Sequence, residues 1–187
     1  MKGKLVTVAL FAVVGLTVAA VGLAKSFEGT PGDDVIIGTP GADVIHSKAG
    51  NDTIDSEGGD DRIHAGDGND RVIAGGGDDR VRAGEGQDSV HGGPGNDHLR
   101  SQQGTDSLNG GEGNDVMWPG SGADQQDGGE GNDRLHALAD DNQQDRLDCG
   151  PGRDVAILSV REQDVALNCE VVRVINPTPQ QAADDDK

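Results

Sequence analysis

Aspartate recurs every nine residues, at Asp34, Asp43, Asp52, Asp61, Asp70, Asp79, Asp88, Asp97, Asp106, Asp115, Asp124 and Asp133. Two residues before each stands a glycine, from Gly32 to Gly131. Carboxylates supply hard anionic oxygen, and a glycine-rich turn lets backbone carbonyls converge where a Cβ would obstruct them. That is chemistry for a hard cation such as calcium, which takes six to eight oxygens at about 2.3–2.6 Å. A catalytic reading needs a carboxylate, histidine or serine that stands apart from its neighbours, whereas these residues all sit at repeat positions. The chain is expected not to be an enzyme.

The elements that must position these turns follow from the same register. Twelve blocks of nine begin at Gly29 and run without insertion to His136. The eighth position is aliphatic from Ile36 through Met117 and again at Leu135, with Gln126 the exception. After a slip of three residues at Ala137-Leu138-Ala139 come two more blocks, a degenerate one from Asp140 and one from Cys149 to Ile157 that adds Asp154 as a candidate ligand. Six residues of each block read as turn and three as a short strand, the eighth side chain inward and the seventh and ninth outward.

The expected core is a column of Ile, Val and Leu. One inward aliphatic per nine residues is too thin to offset the ordering of the backbone. Aspartates in stacked turns, about 4.8 Å apart, also repel by about 1 kcal/mol per pair in water. A cation at the turns removes that repulsion, so folding coupled to calcium is expected, with a largely disordered calcium-free chain.

These blocks resemble the RTX, or hemolysin-type, calcium-binding repeats of consensus G-G-x-G-x-D-x-U-x. Gly92-Gly93-Pro94-Gly95-Asn96-Asp97-His98-Leu99-Arg100 and Gly110-Gly111-Glu112-Gly113-Asn114-Asp115 match it at every glycine and aspartate, and the resemblance covers residues 29 to 157. It implies an all-β fold, a parallel β-roll or right-handed β-solenoid of nonapeptide repeats. In that family each turn shares its ions with the next turn stacked on the same side, so two blocks make one coil and roughly ten calcium ions are expected here. The second position departs from glycine at Thr30, Thr39, Lys48, Glu57 and Gln102. Sites using the blocks at 47, 56 and 101 are expected to be weaker, and Pro119 and Gln126 to loosen the roll from there on.

Composition agrees with a cation-binding role. The formal net charge is −19 among 187 residues, which argues against nucleic acid or an anionic membrane as the main partner. Met1-Lys2-Gly3-Lys4, the apolar run Leu5 to Ala24 and the small residues before Lys25 read as a signal peptide over residues 1–24. The run also reaches bilayer-spanning length, and if retained it is the chain's one membrane contact. The RTX family usually exports through an uncleaved C-terminal signal, and this chain departs from that route. In an extracellular protein the only two cysteines, Cys149 and Cys169, read as one disulfide. The expected organisation is a β-roll over 25–157, a small disulfide-stapled C-terminal cap over 158–175 and a disordered tail over 176–187.

If blocks alternate between two sheets, one outward face collects His46, His64, His98 and His136, Arg62, Arg80, Arg82, Arg100 and Arg134, and the only tryptophan, Trp118. Two readings stay open for this face. It binds an acidic polysaccharide or other cell-surface component, more tightly below about pH 6.5 as the histidines charge, or its charges only solubilise a flat sheet. The function these observations support is a secreted calcium-binding repeat protein with a structural or interaction role.

Overall fold

The computed structural model describes residues 24–178 and 181, apart from 140 and 162. The segment expected as a signal peptide, up to residue 23, and most of the tail beyond 178 lie outside the described residues.

Successive blocks send their strands to opposite sides of a solenoid. One nine-stranded sheet contains β1 (Ser26–Glu28), β3 (Val44–Ala49), β5 (Arg62–Asp67), β7 (Arg80–Glu85), β9 (His98–Gln103), β11 (Val116–Ser121), β13 (Arg134–Ala137), β15 (Val155–Ser159) and β17 (Val171–Ile175), in that order. The facing eight-stranded sheet contains β2 (Val35–Thr39), β4 (Thr53–Glu57), β6 (Arg71–Ile73), β8 (Ser89–Pro94), β10 (Ser107–Glu112), β12 (Gln125–Glu130), β14 (Arg146–Asp148) and β16 (Val165–Leu167). All pairings are parallel, and partners such as Val44 with Arg62 and Ile36 with Ile54 are 18 residues apart. Two blocks therefore make one coil of an all-β solenoid.

Most strands are longer than the three residues expected. In β5 the pairing with β7 extends through Gly66 with Gly84 and Asp67 with Glu85. The pleat thus continues past the inward aliphatic, and the first residue of the next block also points in. The core accordingly has two rows. Ile45, Ile54, Leu99 and Leu108 belong to the expected aliphatic row, while Ala65, Ala74 and Ala83 form a second row of small residues, fully buried. Space limits that second row because it adjoins the turns: a Cβ at Gly92 would lie 2.3 Å from Asp97 Oδ2. Where serine occupies this position it bridges coils, Ser47 Oγ donating to the Ala65 carbonyl at 2.7 Å and Ser101 Oγ to that of Pro119 at 2.6 Å.

Pro119 and Gln126 do not loosen the roll as expected. Gln126 takes the aliphatic's inward place, and its Nε2 donates to the His136 carbonyl at 2.8 Å. Pro119 has no N–H to give, and pairing of β11 with β13 stops at Met117 with Leu135. Order resumes at once, β13 pairing with β15 over Arg134 to Ala137. The three-residue slip is absorbed by burying Leu138 and Ala139, and partners become 21 residues apart, Gln125 with Arg146.

Beyond it, β16 and β17 pair with β14 and β15, so residues expected as a cap continue both sheets of the solenoid. The Cys149–Cys169 disulfide, with Cα atoms 5.1 Å apart, joins these last coils.

Candidate metal centre

The turn aspartates form two columns along the edges of the solenoid. In each column the backbone N–H of one aspartate donates to Oδ1 of the aspartate one coil further on, Asp34 to Asp52 at 2.7 Å and Asp79 to Asp97 at 2.8 Å. The first column holds Asp34, Asp52, Asp70, Asp88, Asp106 and Asp124, and the second Asp43, Asp61, Asp79, Asp97, Asp115, Asp133 and Asp154. All thirteen expected residues are thus brought into register. Two more extend the first column: Asp124 donates to Asp145 and Asp145 to Asp164. Asp145 was findable, since restarting the repeat at Asp140 puts it in sixth place; the 19-residue spacing to Asp164 breaks the period.

One oxygen of each inner carboxylate is used in this way, and the other is not. Oδ2 of Asp52, Asp61 and every later column member through Asp133, and of Asp154 and Asp164, is buried without a hydrogen-bond partner. Buried polar atoms ordinarily find partners, so a whole column of orphaned anionic oxygens calls for a cation. The cost shows in their protonation. Burial above all, and then the neighbouring aspartates of the column, push Asp79 up to about 8 and Asp88, Asp115 and Asp124 to about 7, against the lowering effect of the backbone N–H each receives.

The space around these oxygens is lined by backbone. At Gly122, with φ +142°, a Cβ would sit 1.4 Å from the Gly104 carbonyl oxygen one coil away. Among the described residues no three Asp, Glu, His or Cys side chains converge, so a cation between turns would complete its shell with carbonyls. Oxygen-only donors with a single carboxylate per turn fit calcium and not a softer metal.

The first coil is built differently. Asp34 Oδ2 accepts from the Thr30 N–H at 2.5 Å and its hydroxyl at 3.1 Å, and Asp43 Oδ2 from Thr39 N–H and hydroxyl at 2.7 and 3.0 Å. Lys48 Nζ reaches the Gly29 carbonyl at 2.7 Å. Lys48, Glu57 and Gln102 all adopt positive φ, at 89°, 68° and 108°, where a side chain costs roughly 1–2 kcal/mol.

A second ladder escaped the sequence reading. The fifth residue of several turns accepts from the coil beyond it: Asn69 N–H donates to Asn51 Oδ1 at 2.9 Å, Asn96 to Asp78 at 2.8 Å and Asn132 to Asn114 at 3.0 Å. The two ladders run in opposite senses, and where both are present they clamp a turn between its neighbours. The signal was Asn or Asp before most of the repeated aspartates, a run broken at Ala42, Gln87, Thr105 and Ala123.

The basic face assembles as expected, with His46, His64, Arg82, Arg100 and Trp118 in one column. Its anticipated switch near pH 6.5 is corrected. Burial and adjacent arginines hold the His64 and His98 imidazoles below their ordinary value, and push His136 down to about 4. The arginines carry the charge.

Stacked turns with a buried, oxygen-only lining define a β-solenoid of cation-binding repeats. The model of the RTX calcium-binding nonapeptide repeat matches in four copies, over residues 28–63, 55–90, 91–126 and 127–143. These stretches take in more than half of the 187 residues, and the chain belongs to that family. It is a calcium-binding repeat protein. No curated protein matches the chain.

Proposed function

We propose that this protein is exported and that calcium completes its folding outside the cell, where it serves as a structural or interaction module without a catalytic step. The observation that carries this reading is the run of unpartnered Oδ2 atoms in the two columns. Calcium supplies the positive charge that lets these carboxylates stay ionised while buried. The ligands are Asp52, Asp70, Asp88, Asp106 and Asp124 on one edge and Asp61, Asp79, Asp97, Asp115, Asp133 and Asp154 on the other. Asp34 and Asp43 begin the columns. Roughly ten ions satisfy such a roll, one between successive turns on each edge.

Export rests on the basic start and the apolar run Leu5 to Ala24, and the disulfide suits an oxidising compartment. Extracellular calcium modules bind at about 10⁻⁴–10⁻³ M, a range that keeps the chain unfolded inside and folds it outside. Circular dichroism of the purified chain, starting in chelator, tests the coupling. A cooperative gain of β signal as calcium rises, absent with magnesium, is expected. A chain already folded in chelator would overturn it.

A further inference from the structure

The outward face of β5, β7, β9 and β11 carries two columns of basic residues in register. Arg62, Arg80 and His98 follow one another in the first, and Arg82, Arg100 and Trp118 in the second. They line an open trough of about 540 Å³. Among the described residues the ion pairs are those of Glu28 with His46 and Lys48, at 3.3 and 3.5 Å, and no carboxylate pairs with Arg62, Arg80, Arg82 or Arg100. In a chain of net charge −19, four adjacent arginines on one face without a carboxylate partner leave a local strip of positive charge that can meet an anion.

Trp118 fixes part of it. The Arg100 guanidinium lies 4.6 Å from the indole centroid, and the ring packs against His98 and His136 at 5.9 and 5.1 Å. A guanidinium held over an aromatic ring loses less freedom on meeting an anion. The indole is thus already flanked by Arg100 and two imidazoles, whereas sequence-independent binding of single strands uses open aromatic faces on which bases stack.

The strip is narrow. Its two columns are two residues apart along each strand, about 6.6 Å. Exposed acids bound it, Asp60 and Asp78 before the strands and Asp67 and Glu85 at their ends. A bilayer or a nucleic-acid duplex would overlie those acids, whereas a single polymer chain lying along the solenoid axis would not. Along that axis the arginines repeat at the strand spacing of about 4.8 Å, comparable to one sugar ring of an extended chain.

We propose that this strip binds an anionic polysaccharide along the solenoid axis, the sulfates or carboxylates of successive sugars meeting Arg62, Arg80, Arg82 and Arg100. The site requires the folded roll and so rests on the calcium-coupled folding proposed above, but none of its four arginines belongs to the aspartate columns.

Binding of the calcium-equilibrated full chain to dextran sulfate is the test, with neutral dextran and poly(dT) as comparators. Replacing Arg80, Arg82 and Arg100 by Gln is expected to weaken dextran sulfate binding by at least about tenfold. Arg71→Gln with Arg146→Gln on the opposite sheet is expected to change it less than about twofold. Circular dichroism of each variant reports the roll separately. Should the triple variant lose its β signal, Arg82→Gln alone, at an exposed position, carries the test with about a threefold loss. Equal binding by face and control variants, no binding by the native chain, or tighter binding of poly(dT) would overturn the assignment.

Discussion

The start of this solenoid and its later coils are made from one nine-residue unit, yet they satisfy their turn aspartates in different ways. At the start, Thr30 and Thr39 give N–H and hydroxyl to the second carboxylate oxygen, and the Lys48 ammonium takes a turn carbonyl. At the far end the disulfide between Cys149 and Cys169 ties the last coils together. From Asp52 through Asp133, and at Asp154 and Asp164 in those last coils, the carboxylates keep one oxygen buried and unpartnered. The start is closed by groups the chain itself supplies, and the later turns are left to be closed by something it does not contain. A solenoid needs ends that hold without neighbours, and the contrast places its calcium dependence beyond the first coil, with the disulfide and not the aspartates securing the far end.

Removing calcium breaks the comparison most severely. In chelator at pH 8 the central strands β7 to β11 are expected to lose hydrogen-exchange protection completely, since their aspartates must then be ionised, buried and close together. Acid should restore part of it. With folded-state values of about 8 for Asp79 and about 7 for Asp88, Asp115 and Asp124, against the ordinary 3.8, the folded chain binds more protons than the unfolded one between these limits. Its calcium-free stability is therefore fully present below about pH 4 and lost as pH rises through 6 to 8. Saturating calcium should invert the trend, because the ion replaces those protons and acid then competes with it. Protection in chelator that stays level or rises from pH 4 to pH 8 would contradict a column of uncompensated carboxylates.

A single substitution at matched positions sharpens the contrast on a smaller scale. Asparagine keeps the oxygen that accepts the neighbouring N–H and removes the charge. At Asp97, whose Oδ2 has no partner, the change should raise the calcium midpoint about tenfold, or about 1.4 kcal/mol. At Asp34, whose Oδ2 already receives the Thr30 N–H and hydroxyl, the same change should move the midpoint less than about twofold. Comparable shifts at the two positions in a calcium titration would mean that the threonine does not replace the ion.

The sequence made the period, the two-block coil and the thirteen aspartates legible because a solenoid repeats its local physics. Each Asp sits where its equivalents sit, and one block predicts the next. What escaped it depends on the third dimension. The inward place of Ala65 and Ala74 follows from a pleat that continues past the block boundary. The Asn51–Asn69 bond follows from the stacking of coils. Gln126 reads as a defect in one dimension and finds the His136 carbonyl across the core in three. The histidines of the basic face read as a pH switch until their burial, and after it the closeness of Arg82 to His64 and of Arg80 and Arg100 to His98, is seen.

Glu57 allows the smallest and cleanest distinction, because it belongs to the glycine type of turn without being glycine. Its φ is 68° and its side chain is exposed. Its own N–H donates to Asp55 Oδ1 at 3.1 Å, a bond that any residue there retains. Glu57→Gly therefore removes the steric cost of a left-handed residue while keeping the backbone contact, and adds some freedom to the unfolded chain. The first effect is about 1–2 kcal/mol and the second about 0.5–1 kcal/mol in the opposite direction. A net gain of about 1 kcal/mol in the calcium-loaded form is expected from denaturant unfolding. Destabilisation would show that the turn at 56–61 follows a path glycine does not favour, and would set this turn apart from the rest of the later turns.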